Sequence, residues 1–580
     1  MKRAAVVGAL GLLFGAACRA REERIPLRIT TPASAAAPTP VLGFIDESQE
    51  GPPVEGGVLY RRLVGEPTTL NAVLQSSAPE AQVLQYVVRN LFDFDASLNL
   101  NASLAEGVEA SADGRDYTIT IRAESTWEDG RPVTARDAVF TIRKVVDPGV
   151  AAPVFKPLYE DLDSVEALDA RRFHVRFRKP YAFRTMAFVL PLLPEHRFPK
   201  PGASAFLKSR ENRSPLSDGP YRVVSWRTQE SVELERNPRF AGPRGHFDRI
   251  VFRILPDHTT AYRLLVNGEL DEDQIDSAMK ERGAKDPAFA VCCRVVEFYN
   301  LDYNYITLNN RSPFFADARV RRALTMLLDR ASIIRNLYKG SARIISGPWA
   351  PDSPAYDASI APLPFDRAAA AKLLDEAGWT DTNRNGIRDR GGREFEFDLL
   401  VSAGSTVGQQ IDEMLAAELA RVGITARVRT MEWAAFVERV DAGEFQAASL
   451  AWSAVDPNPD PYFYWHSSQC APKGLNDGCY RNPEADRLME EARREMDSNR
   501  RRDLLHRLHR IFRDDAPAVF VANASQKVAF SRRIRGLVTS PLGLYGIWPG
   551  PLQWWAAPEP TRESRGTLRS PEPPARRPGT

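Results

Sequence analysis

The first eighteen residues set the conditions under which the rest of the chain folds. Lys2 and Arg3 precede an apolar run from Ala4 to Phe14, and the small residues Gly15-Ala16-Ala17 close it before Cys18. A basic start, a short apolar segment and small residues form the layout of a secretory signal peptide over 1–17. The run falls short of the roughly 20 apolar residues of a membrane span. No later stretch is long and apolar enough to span either, so the mature chain is expected to fold in water, outside the cytoplasm. Formal net charge is +2, from 77 basic and 75 acidic residues interspersed along the chain. That balance argues against a nucleic-acid partner, which calls for a strong basic excess.

Export to an oxidising compartment permits disulfides. Beyond Cys18 stand Cys292, Cys293, Cys470 and Cys479. Cys470 and Cys479 flank a loop rich in turn formers, Ala-Pro-Lys-Gly-Leu-Asn-Asp-Gly, so a local bridge between them is a candidate. Cys292-Cys293 reads either as a vicinal pair or as two free thiols, and spacing alone leaves the pairing open. No His or further Cys stands at zinc-ligand spacing near either pair. Residues 18–54 are rich in Pro, Ala, Thr and Ser without periodicity and read as a flexible tether. Residues 557–580 hold little to bury and are expected to be disordered. The folded body is then 55–556.

Within the body, strand and helix periods mix. Tyr117, Ile119 and Ile121 alternate with Thr118 and Thr120, the mark of a half-buried strand over 116–122, and 231–236 and 424–430 alternate likewise. Asp366 is placed to cap a helix over 368–377 that Gly378 ends. Ile411, Met414, Leu415, Leu419 and Val422 share one face of a helix over 409–422 closed by Gly423, and another helix follows at 433–441. Asn482-Pro483 opens a long charged helix. These elements predict an α/β protein with at least two sheets.

Seven segments along the chain resemble one family. Leu104-Ala105-Glu106-Gly107, Asp113-Gly114 and the run Trp127-Glu128-Asp129-Gly130-Arg131-Pro132-Val133-Thr134 resemble the signature of extracellular solute-binding proteins of the peptide- and nickel-binding family, family 5. Gly65-Glu66-Pro67-Thr68, Asp218-Gly219-Pro220-Tyr221, Asp317-Ala318-Arg319-Val320 and Asp460-Pro461-Tyr462 match further family segments. The resemblance implies a two-lobed periplasmic-binding-protein-like clamshell with an extra strand-rich domain inserted in the first lobe. Its first lobe would comprise 55–73, 201–297 and 526–556, the insertion 74–200 and the second lobe 298–525. It also implies a substrate-binding role for an ABC importer: a small solute, most simply a peptide, is captured by a monomer and passed to a permease with its ATPase. Small residues directly before Cys18 resemble the lipobox of bacterial lipoproteins, in which that cysteine carries the lipid anchor at the cell envelope, periplasmic or otherwise extracytoplasmic. A lipoprotein sensor or chaperone of the same fold is the alternative, and a secreted hydrolase a more distant one.

A peptide offers backbone groups, two charged ends and side chains, so its pocket needs carboxylates and aromatic faces. The segment from Trp452 to Trp465 supplies them, and Trp452, Asp456 and Asp460 are candidate ligand contacts, joined by Tyr305, Trp349 and Glu66. In peptide binders of the family an aspartate commonly stands three residues after the tryptophan. Here that position is Val455, with Asp456 next. No cofactor is expected. Asp381, Asn383, Asn385 and Asp389 copy the spacing of the first nine positions of a calcium loop, but Gly392 stands where its bidentate glutamate belongs. None of the seven histidines forms a His-Glu-x-x-His pair, and neither a nucleophile elbow nor a phosphate loop is present, so no enzyme activity is expected.

Overall fold

The computed structural model describes residues 24–26, 46–47, 51–198, 202–453, 456–470, 472 and 474–557. Cys18, the signal segment, Val455 and nearly all of the C-terminal tail lie outside the described residues. Three large bodies of secondary structure form around separate cores, joined by a few crossings.

The alternating strand expected near 116–122 is Asp116–Ile121, and Tyr117, Ile119 and Ile121 are buried. It lies in a five-stranded antiparallel sheet with Arg24–Pro26, Ala105–Ser111, Arg172–Phe177 and Leu162–Ala167. Helix Ala135–Val146 covers it, started by a capping box between Thr134 and Asp137. Trp127 of the family signature is fully buried in this core.

A second body holds a four-stranded sheet, Val58–Leu63, Arg249–Ile254, Ser231–Arg236 and Tyr221–Arg227, and a three-stranded one, Glu272–Gln274, Gln526–Ser531 and Cys293–Phe298. Arg61, fully buried, ties them together: Nε donates to Glu272 at 2.6 Å, and the guanidinium stacks over Tyr545 at 4.8 Å. The third body is a six-stranded sheet ordered Ala342–Ile344, Ala518–Ala524, Tyr303–Leu308, Ala447–Trp452, Glu396–Ser402 and Thr425–Met431. Helix Thr406–Ala420 forms the crossover between its two outermost parallel strands, and Gly423 turns the chain at φ 81°. Asp366 accepts from Ala369 N at 2.9 Å and Asn482 from Glu484 N at 2.9 Å, the caps their positions predict.

Near the two expected boundaries of the insertion the cores interleave. Helix Ala78–Val87 places Val83, Leu84, Tyr86 and Val87 in the core of the second body, with Leu59 and Phe252. Phe206 and Leu216 pack in the core of the inserted sheet. Val73 and Leu74 also pack in the inserted sheet's core while Ala72 packs in that of the second body, so the two cores interleave along this stretch, and no change in composition marks where one ends and the next begins. The tether also differs from a free chain. Arg24–Pro26 adds an edge strand, Asp46 bridges Val538, and Glu47 pairs with Arg294 at 2.7 Å.

One buried group of the third body carries a pH dependence. Asp412, on helix Thr406–Ala420, is fully buried, and its Oδ1 accepts from Ser449. Burial pushes its carboxyl up to about 7 against the Ser449 hydrogen bond. The unfolded chain releases that proton near its ordinary value of 3.8, so between the two values the native state holds more protons. Stability therefore falls as pH rises through this window. Relative to wild type, Asp412→Asn is expected to gain up to about 4 kcal/mol between pH 4 and pH 8 in chemical denaturation. Parallel stability curves for the two proteins would contradict this.

Candidate ligand cavity

Two neighbouring strands of the third body frame a cavity of about 200 Å³. Tyr303–Leu308 runs antiparallel to Ala447–Trp452, with Tyr303 opposite Trp452 and Tyr305 opposite Leu450. The two-residue period of a strand puts Tyr303, Tyr305 and Thr307 along the cavity, while Ile306 and Leu308 enter the core behind the sheet. Helix Trp433–Ala442 lays Phe436, Val437 and Val440 along one side, and the short helix Tyr462–Trp465 supplies Tyr464 and Trp465. Trp452 and Tyr464 meet edge to face at 4.2 Å.

The last wall is a loop fastened at both ends. Cys470 is bonded to Cys479 and Cys292 to Cys293, which settles the pairing that spacing left open. Inside the first bridge Asn476, 1% exposed, donates Nδ2 to the carbonyls of Trp465, His466 and Tyr480, and its Oδ1 accepts from Tyr480 N at 3.0 Å. Gly478 is required beside it, since a Cβ there would stand 2.7 Å from the Leu308 carbonyl oxygen. Between these two fixed residues Asp477 lines the cavity, and Asp441 lines it from the helix end. Burial, then the charge of Asp441, raises the Asp477 carboxyl to about 7.

The six expected contact residues fall in different places. Trp452 and Tyr305 line the cavity. Asp460, 6% exposed, lies elsewhere. It accepts from Tyr181 Oη at 2.9 Å and from Tyr462 N at 3.0 Å, and stands 2.9 Å from Arg493 Nε. Tyr181 belongs to the inserted domain, so this carboxylate ties that domain to the third body. Ala182 N donates to Arg493 O at 2.8 Å, and the Arg493 guanidinium lies 4.1 Å over Tyr462. At the Asp113-Gly114 turn, a Cβ on Gly114 would stand 2.6 Å from Met496 Cε, so glycine permits this second close approach. Asp456 accepts from Asn458 N at 2.8 Å, and burial, with the charge of Asp460, raises it to about 6. Glu66 accepts from Trp226 Nε1 at 2.7 Å and Gln229 N at 2.5 Å, bracing a hairpin of the first lobe. Trp349 is 3% exposed and packs on His509 and Phe512 as core.

Sequence reasoning missed Asp477, Asp441 and Tyr303 as cavity residues. The one available signal was the pair Tyr303 and Tyr305, spaced to share a strand face. Asp477 read as part of a turn. In the loop with calcium-like spacing, Asp381 accepts from Asn385 N and Gly386 N, and Asp389 from Thr382 N, so the carboxylates serve their own backbone. His509, fully buried, is bonded to Ser346 and to Asp357 N. Among the described residues no group of three or more His, Cys, Asp or Glu side chains is arranged to hold a metal ion, and no helix is long and apolar enough to cross a membrane.

Comparison with known proteins places this architecture. The family model of bacterial extracellular solute-binding proteins, family 5 Middle, matches residues 99–473, and the chain belongs to that family. The oligopeptide-binding protein AppA of Bacillus subtilis is 28% identical over 522 residues, covering 87% of this chain and 93% of the relative. Heme-binding protein A of Haemophilus influenzae is 27% identical over 490 residues, covering 80% and 87%. The solved structure of AppA in complex with a nonapeptide superposes with a TM-score of 0.73 at 27% identity, over 87% of this chain and all of that one. NikZ of Campylobacter jejuni, solved with Ni(L-His), shares the fold at a TM-score of 0.73 and 24% identity, over 86% and 99%. The protein is a solute-binding protein with the two-lobed fold of this family, and its relatives are binders rather than enzymes.

Proposed function

We propose that the protein is the peptide-binding component of an ABC importer, held at the cell envelope by a lipid on Cys18. The observation that carries the peptide reading is the aromatic cavity on one face of the third body's sheet. It offers aromatic faces and carboxylates, groups that read the side chains and charged ends of a peptide. The likeness to a relative solved with a nonapeptide over 87% of this chain supports it. A haem or a bulky chelate is the second reading, prompted by the heme-binding relative. A cavity of about 200 Å³ suits one side chain better than a macrocycle. Delivery needs no covalent chemistry: a ligand that touches both lobes favours their closed arrangement through its higher affinity for it, and a permease reads that state.

Mass spectrometry of the solute released by denaturing freshly purified protein is expected to show peptides. A metal chelate or haem in their place, or an empty protein that binds no member of a peptide library, would overturn the reading. Anchoring is tested separately. One acyl chain holds a protein only marginally and two or more hold it stably. Cys18→Ser is expected to move the protein out of the membrane fraction or leave it unprocessed. Unchanged fractionation and unchanged mass would contradict the anchor.

A further inference from the structure

The geometry points to a subsite for one cationic side chain of the ligand, held by Asp477 between the aromatic walls of the cavity. This rests on the reading of the protein as a peptide binder and adds what kind of peptide it selects.

Size comes first. The cavity is about 200 Å³. Whole-ligand pockets begin at about 300 Å³, so this is room for one side chain. Its walls are Phe436, Tyr305, Trp452 and Tyr464, which suit the alkyl stem of a long side chain and the face of its charged head.

Charge comes second. Two carboxylates, Asp477 and Asp441, line the cavity, and among the described residues no basic side chain does. Burial and the charge of Asp441 perturb Asp477, and among the described residues its carboxylate has no hydrogen bond and no cation. Asp460 differs, because Arg493 and Tyr181 already occupy its oxygens. A cation entering the cavity meets an unspent carboxylate at Asp477 and would have to displace an existing partner at Asp460. A neutral apolar side chain would fill the same space and leave Asp477 desolvated without a partner, which penalises the wrong ligand. The Asn476 hydrogen bonds and the bridge at Cys479 hold the neighbours of Asp477 in place beforehand, so little ordering of that residue remains to be done on binding.

The arrangement also gives a pH signature. Asp477 keeps its proton up to about 7 in the free protein, and a cation binds the ionised form. Affinity for a cationic side chain should rise by up to about tenfold per unit from pH 5 to pH 7 and level off above. The other titratable groups on the cavity are Asp441 from helix Trp433–Ala442, Tyr303 and Tyr305 from the strand, and Tyr464 from the short helix. Burial raises all three phenols above their ordinary value, so they stay protonated throughout this range.

The test is titration calorimetry of the mature protein and of Asp477→Asn with alanine pentapeptides. Each position in turn carries arginine or its neutral isostere citrulline. Wild type should bind the best arginine peptide at least about tenfold more tightly than its citrulline partner. Asp477→Asn should erase that difference, chiefly by weakening arginine binding, while citrulline binding holds or improves as the desolvated carboxylate is lost. Equal binding of arginine and citrulline at every position would overturn the cationic subsite while peptide binding stood. Binding of neither series would instead overturn the peptide reading. A preference surviving in Asp477→Asn, or equal weakening of both series, would show that another group reads the charge or that Asp477 only holds the loop.

Discussion

The two lobes are joined where the chain passes twice from one sheet to the other, and a buried amide clamps these passages together. Strand Cys293–Phe298 of the first lobe leads to Tyr303–Leu308 of the second, and Ala518–Ala524 returns through Ser525 to Gln526–Ser531. Asn523, fully buried, donates to the carbonyls of Asn300 at 2.8 Å and Asp302 at 2.7 Å and accepts from Arg343 Nε at 3.0 Å. Ser525 donates to Glu297 Oε1 at 2.5 Å. Burial opposes ionisation of Glu297, but hydrogen bonds from Lys280, Ser341 and Ser525 outweigh it and bring the carboxyl down to about 2. With both passages fixed to each other, any relative movement of the lobes would have to be absorbed by φ/ψ changes in the few residues of these passages, as in a hinge.

Far from that hinge the inserted domain meets the second lobe through Tyr181, Asp460 and Arg493 and through the close approach of Gly114 to Met496. The Asp460 carboxylate is desolvated, and Arg493 opposes the rise in its pKa that burial causes. Opening the lobes would return these groups to water, so the contact stabilises closure by far less than its bonds in isolation suggest. A weak contact is what a binding protein requires. If the lobes closed firmly alone, ligand could add no difference between states; if nothing met, closure would rest on ligand contacts only. On the proposed reading, the second-lobe cavity lined by Tyr305 and Trp452 would supply the ligand's share.

Local patterns carried most of the fold. The period-two run at Tyr117–Ile121, the caps Asp366 and Asn482, and the turn glycines Gly378 and Gly423 each act within a few residues, and the structure uses them as their positions predict. Domain edges were harder to read, because Val83 and Phe206 are equally apolar and only packing assigns them to different cores. The site was least legible. Asp460 and Asp477 stand seventeen residues apart in similar polar loops. What separates them is a partner from another domain, Tyr181, and a cavity wall contributed by Tyr305, neither of which is near in sequence. Glu66 carried a family motif yet braces Trp226, since a carboxylate in a loop serves backbone and indole donors as readily as a ligand.

The central claim is that a ligand draws the lobes together about the clamped hinge. It is tested most directly by single-molecule energy transfer between dyes placed at two exposed sites, Leu168 on the inserted domain and Lys372 on the second lobe. The account predicts a mixture of open and closed populations without peptide and a single short-distance population at saturation. A distribution that stays the same at saturating peptide, with binding confirmed in the same sample, would contradict it.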